Sequence, residues 1–182
     1  MFNDLLANRE IRENCQFWFY SYPTGQPFWI SAQQMRSDLE KIHQDVDPHG
    51  DSPAMDQMVL VGHSMGGLMS LMQTIDSGDE FWNIISQHPI ETLSGDPETI
   101  ELLRDTFFFR PNRSVQRVIT LATPFQGSEF SNVATQWAGK RLFTLPSILT
   151  NEFSEFASQN KDKLNNTSCL TMTTSIDSLA PG

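Results

Sequence analysis

Apolar positions recur at helical spacing over residues 1–14, where Phe2, Leu5, Leu6 and Ile11 share a face. That spacing predicts a helix. Residues 16–20, Gln-Phe-Trp-Phe-Tyr, are dense in aromatics and fit a buried strand. The turn residues of Tyr22-Pro23-Thr24-Gly25 close it. Ser31 is placed to cap a helix running through Met35, Leu39 and Ile42. A polar Gly/Pro loop follows over residues 45–53. Met58-Val59-Leu60-Val61 is then an unbroken apolar run, read as a strand. The apolar stretch Leu68-Met69-Ser70-Leu71-Met72 behind it is read as a helix that fades by Ser77-Gly78-Asp79.

Residues 77–114 form a long excursion carrying Phe81, Trp82, Ile84, Ile85 and Phe107-Phe108-Phe109, with Pro89, Pro97 and Pro111 between. Helices whose aromatics fill the core are the simpler reading, and a cap or lid over a site is the other. Val115 to Ala122 predicts the next strand. Helical material with Trp137, Leu142, Phe143 and Leu145 is expected after Thr123-Pro124, and a short helix over residues 151–158. Alternation of strand and helix implies an α/β fold with a mostly parallel sheet flanked by helices. Ligands bind such sheets beyond the carboxyl ends of the strands. Three segments reach that edge: residues 22–25, Ser64, and residues 123–128. Tyr22 and Phe125 are the candidate apolar walls of a substrate pocket, and core packing explains each equally well.

At 182 residues the length suits one domain with a real core. A net charge of −10 argues against nucleic acid and against anionic membrane surfaces as partners. No apolar run approaches a membrane span. Met1 leads into Asn3-Asp4 and Arg9-Glu10 rather than a basic start and an apolar block, so no leader is read, and the cytoplasm is the default location. Cys15 and Cys169 have no metal-ligand spacing and read as free thiols. No metal and no cofactor is expected, and the composition does not set an oligomeric state.

The chemistry is concentrated in Gly62-His63-Ser64-Met65-Gly66-Gly67, Gly-x-Ser-x-Gly between a predicted strand and a predicted helix. That context places a serine on a sharp strand-to-helix turn, a nucleophile elbow. Glycines at 62 and 66 let strand and helix cross closely. Ser64 is the candidate nucleophile, and its backbone is expected to be strained, with positive φ. The Met65 amide is the candidate oxyanion donor.

At these residues the chain resembles the α/β-hydrolase superfamily. Gly-His-Ser-Met-Gly-Gly is the form of many lipases, esterases and acyltransferases. Leu121-Ala122-Thr123-Pro124-Phe125-Gln126-Gly127-Ser128 is similar to the segment after the next strand in lipase-like members. The resemblance spans roughly residues 1–134 and implies a serine hydrolase acting on carboxylic esters, lipid-like or acyl, through a Ser64 acyl-enzyme. It also implies a second oxyanion donor from a segment before the first helix, and an acid and a histidine after the serine.

Those partners are not evident. The four histidines are His43, His49, His63 and His88, and none follows the Val115 strand. His63 precedes the serine and reads as a packed turn residue. His43 and His49 belong at the opposite edge of the sheet. Asp177 comes late enough to serve as the acid, but a turn role fits it better. The chain therefore reads as an incomplete α/β-hydrolase domain, lacking the first and last strands of the fold and inactive as it stands. A non-catalytic hydrolase-like binding protein is the alternative.

Overall fold

The structure is a computed structural model and describes residues 2–24, 26–125 and 154–164. The first helix expected over residues 1–14 is two, α1 (Phe2–Ala7) and α2 (Arg9–Asn14). Asn8 causes the break. It leaves helical geometry, and its side chain accepts the Ile11 amide at 3.2 Å, capping α2.

The strand expected at residues 16–20 is not formed. This segment pairs with no strand among the described residues, and Trp18 and Phe19 are 57 % and 76 % exposed. A strand needs a neighbour for its N–H and C=O groups, and aromatic content does not supply one. Phe17 and Phe19 instead meet the Phe2 ring edge-on, at 5.2 and 4.8 Å.

Helix α3 (Phe28–Val46) starts earlier than predicted, from Pro27. Ser31 is not its cap. It lies fully buried in the first turn and accepts a hydrogen bond from Gln26 Nε2 at 3.0 Å. Trp29, Ile30, Ala32 and Met35 form the buried stripe of α3.

Strands β1 (Met58–His63) and β2 (Val115–Leu121) pair in parallel, with Leu60 opposite Val118 and His63 opposite Leu121. Among the described residues the sheet has these two strands. Helix α4 (Met65–Leu71) packs against both. Side chains alternate across a strand, and Val59, Val61 and Ile119 remain 52 %, 43 % and 43 % exposed. The chain is an α/β protein with a small parallel sheet.

The connection between the strands holds α5 (Glu80–Asn83), a 3-10 turn (Ile90–Thr92) and α6 (Pro97–Phe107). Asp96 caps α6 by accepting the Glu98 and Thr99 amides, and Pro97 opens it. Trp82, Ile85, Leu103, Phe107 and Phe109 join α3 and α4 residues in one core. Ser77 and Phe109 tie the ends of the connection together, each amide bonding to the other residue. Residues 154–159 are helical and deliver Phe156 and Asn160 to the same core. Asn160 bonds the Ser94 amide at 2.8 Å through Oδ1 and the Ser94 carbonyl through Nδ2, while Ser86 Oγ donates to the Lys163 carbonyl at 2.8 Å. Gly127, Ser128, Trp137, Leu142, Phe143, Leu145, Cys169 and Asp177 lie outside the described residues.

Candidate active site

Ser64 stands between the end of β1 and the start of α4 with φ 53° and ψ −124°. A non-glycine residue held there costs about 1–3 kcal/mol and persists only when its surroundings impose it. Two bonds do so: the Ser64 amide donates to the Leu121 carbonyl at 2.9 Å, and the Ser64 carbonyl accepts the Gly67 amide at 3.0 Å. The Ser64 side chain makes no capping bond to α4, which leaves its hydroxyl available. Met65 and Gly66, in the first turn, have no intrahelical acceptor for their amides.

Ala122, the residue after β2, also has positive φ, 47°. Since His63 is opposite Leu121 in the register, Ser64 and Ala122 are neighbours at the carboxyl edge of the sheet. The sequence reading missed Ala122. Its one signal was a small residue directly after the apolar run and before Thr123-Pro124.

The glycines have separate tasks. A Cβ at Gly62 would fall 2.3 Å from the Gly66 carbonyl oxygen, so only glycine lets β1 pass under α4. A Cβ at Gly67 would collide with Thr123. Gly66 was expected to serve the crossing through its own missing side chain. It does not: a Cβ there meets only the Tyr22 hydroxyl, at an ordinary 3.5 Å.

Tyr22 is thus brought to the first turn of α4. Its ring stacks on Tyr20, centroids 6.2 Å apart, and Tyr20 donates to Asp38 Oδ2 at 2.9 Å. Burial raises the Tyr22 pKa, so the phenol keeps its proton. Burial, and then the Asp38 carboxylate, raise that of Tyr20. Phe125 lies past the end of β2 but is 60 % exposed, and its amide bonds the Thr123 carbonyl.

The histidines do not gather at Ser64. His43 Nε2 lies 3.2 Å from Asp56 Oδ1, which also accepts from Ser114 Oγ at 3.0 Å. Ser114 precedes β2, and its carbonyl accepts the Met58 amide, so this cluster marks the amino ends of the strands. His49 is exposed in the loop after α3. His63, expected to be packed, is exposed, because its position in β1 alternates with buried Gly62 onto the side carrying Val59 and Val61. His88 is exposed, and its carbonyl accepts the Trp82 indole N–H at 2.9 Å. Among the described residues no group of three His, Cys, Asp or Glu side chains could hold a metal ion. No described helix is long and apolar enough to cross a membrane.

Fold and site together define an α/β protein whose candidate site sits at the carboxyl ends of parallel strands. Residues 39–169 match the family model described as "Putative esterase", and the chain belongs to that esterase family. No curated protein and no solved structure matches it. Membership makes ester hydrolysis the reaction class and a small-molecule ester the class of substrate.

Proposed function

We propose that this chain carries the nucleophile of a serine esterase of the α/β-hydrolase type. Ser64 Oγ attacks the ester carbonyl carbon and loses its proton to a base. The Met65 amide binds the carbonyl oxygen as it becomes negative. Collapse expels the alcohol and leaves an acyl-enzyme, which water then hydrolyses. The observation that carries this reading is the Ser64 backbone, at φ 53° and ψ −124° between a parallel strand and a helix, in a chain of the esterase family. Tyr22 and Phe125 are the proposed pocket walls, with carboxylic esters of lipid-like or acyl type as substrates. The connection between β1 and β2 is taken as core rather than lid, because its aromatic residues are spent in the core.

A serine hydroxyl is a weak nucleophile without a base, and the sequence places no histidine after residue 88. Turnover by these 182 residues alone is therefore expected to be slow. That same observation favours a second reading, a hydrolase-like binding protein that keeps the turn as scaffold. Imidazole added to solution separates the two, since it supplies the missing base. Hydrolysis of p-nitrophenyl butyrate should rise with imidazole above the background reaction, and Ser64→Ala should remove the increment. Equal rates for the two proteins would leave the binding reading in place.

A further inference from the structure

We propose that the open cleft between α5 and α6 binds a primary amine carrying an apolar body, at a site separate from Ser64. The cleft encloses about 450 Å³, within the range of small-molecule sites, about 300–1,000 Å³. It lies where the connection between the strands begins and ends. Asp79 follows closely on Ser77 and Phe108 directly precedes Phe109, and Ser77 and Phe109 are bonded to each other. Asn112, just beyond, donates its amide to the Gln73 carbonyl at 2.8 Å, past the end of α4 opposite to Ser64.

The floor of the cleft is aromatic and fixed. Phe108 is half-buried and lies against Trp82, ring centroids 5.7 Å apart. Trp82 is buried, and its indole N–H is held by the His88 carbonyl at 2.9 Å. A surface set before the ligand arrives avoids the cost of ordering it on binding. Such a floor takes an apolar body, and the negative face of an aromatic ring attracts a cation.

The rim selects the charge. Arg104 is answered by Glu91, Nη2 to Oε1 at 3.3 Å, in a half-exposed pair. Asp79 has no such partner among the described residues, so two carboxylates against one guanidinium leave negative charge in excess. Acceptors line one side. The Asn83 amide donates to the Asp79 carbonyl at 2.9 Å, which puts their side chains on one face of the turn, and neither side chain is hydrogen-bonded among the described residues. Gln87 spends its Nε2 on the Asn83 carbonyl at 3.1 Å and keeps its Oε1. An ammonium brings three donors and no acceptor, the complement of a carboxylate and two amide oxygens. The net charge of −10 favours the approach of a cation.

The test is heteronuclear NMR of the 182-residue chain, read at the Trp82 indole N–H, during titration with phenethylamine, butylamine and hydrocinnamate. Phenethylamine should shift that resonance with a Kd on the order of 1 mM. Hydrocinnamate, the same ring bearing a carboxylate, and butylamine, the amine without a ring, should each bind about tenfold more weakly. Asp79→Asn, at an exposed position, should weaken phenethylamine about tenfold. Hydrocinnamate binding as tightly as the amine would give the cleft to Arg104 and overturn the proposal. Butylamine binding as tightly as phenethylamine would reduce the cleft to a contact for a lysine side chain and overturn it too. So would the absence of any shift at about twentyfold the expected Kd, or an unchanged Kd in folded Asp79→Asn. The comparison of the three ligands uses the unaltered chain and decides even where that variant does not fold.

Discussion

The Cβ that any residue but glycine would carry at position 67 falls 1.9 Å from Thr123 Oγ1 and 2.9 Å from Thr123 Cβ. The first turn of α4 and the segment after β2 are therefore in contact at the limit of packing. Gly67→Ala should cost about 1–3 kcal/mol through overpacking. Thr123 Oγ1 is buried without a partner, so Thr123→Ala should be close to neutral. The double variant should recover part of the Gly67→Ala loss. Urea melts of the four proteins measure the coupling, and strictly additive losses would deny the contact.

Ser64 supplies a second test, of strain. Ser64→Ala retains a Cβ at φ 53° and keeps the strain, while Ser64→Gly releases it. The glycine variant should melt as the more stable of the two, by about 1 kcal/mol after the entropy it adds to the unfolded chain. Equal stabilities would mean that the conformation is not strained.

Acid should loosen the amino ends of the strands. The Ser114 hydroxyl and then His43 hold the Asp56 carboxyl below its ordinary value. A carboxylate whose folded pKa is depressed stabilises the fold above its unfolded value, near 3.9, and loses that contribution as pH falls through the folded pKa. The midpoint of urea unfolding should therefore drop below about pH 4, and Asp56→Asn should flatten that part of the profile. A profile identical in both proteins would remove Asp56 from the acid response.

Self-association is the fourth expectation. Parallel sheets are normally covered on both faces, yet Val59, Val61 and Ile119 stay open on the face away from α4. Val61→Lys should shift the chain toward monomer in light scattering behind size exclusion, without lowering its unfolding free energy by more than about 0.5 kcal/mol. Association unaffected by that charge would place the sticky surface elsewhere.

Local signals carried the parts of this molecule that rest on local physics. Four consecutive apolar residues before Gly62 announced β1, and Gly-x-Ser-x-Gly announced a positive φ at Ser64. Val115 to Ala122 announced β2 to within one residue. Features set by distant partners were illegible. Residues 16–20 have strand composition, but pairing is decided by a neighbour that composition does not reveal. Ser31 looks like a cap, but tertiary burial of Trp29 and Ile30 draws α3 back to Pro27. Gly67 meets Thr123 and Tyr22 meets Gly66, residues far away in sequence, and no spacing rule reaches that far.

Asn160 meets Ser94 across 66 residues, and Ser86 meets Lys163 across 77. During synthesis the ribosome releases the aromatic connection well before its last partners exist. Its core residues must wait until Phe156 arrives to lie against Gly95, at roughly 5–20 residues per second. Closing a loop of that size delays the reward for the contacts inside it. The described core is thus most vulnerable to proteases between emergence of α6 and emergence of residue 164, and a stall in that window should yield more degraded product than a stall after it.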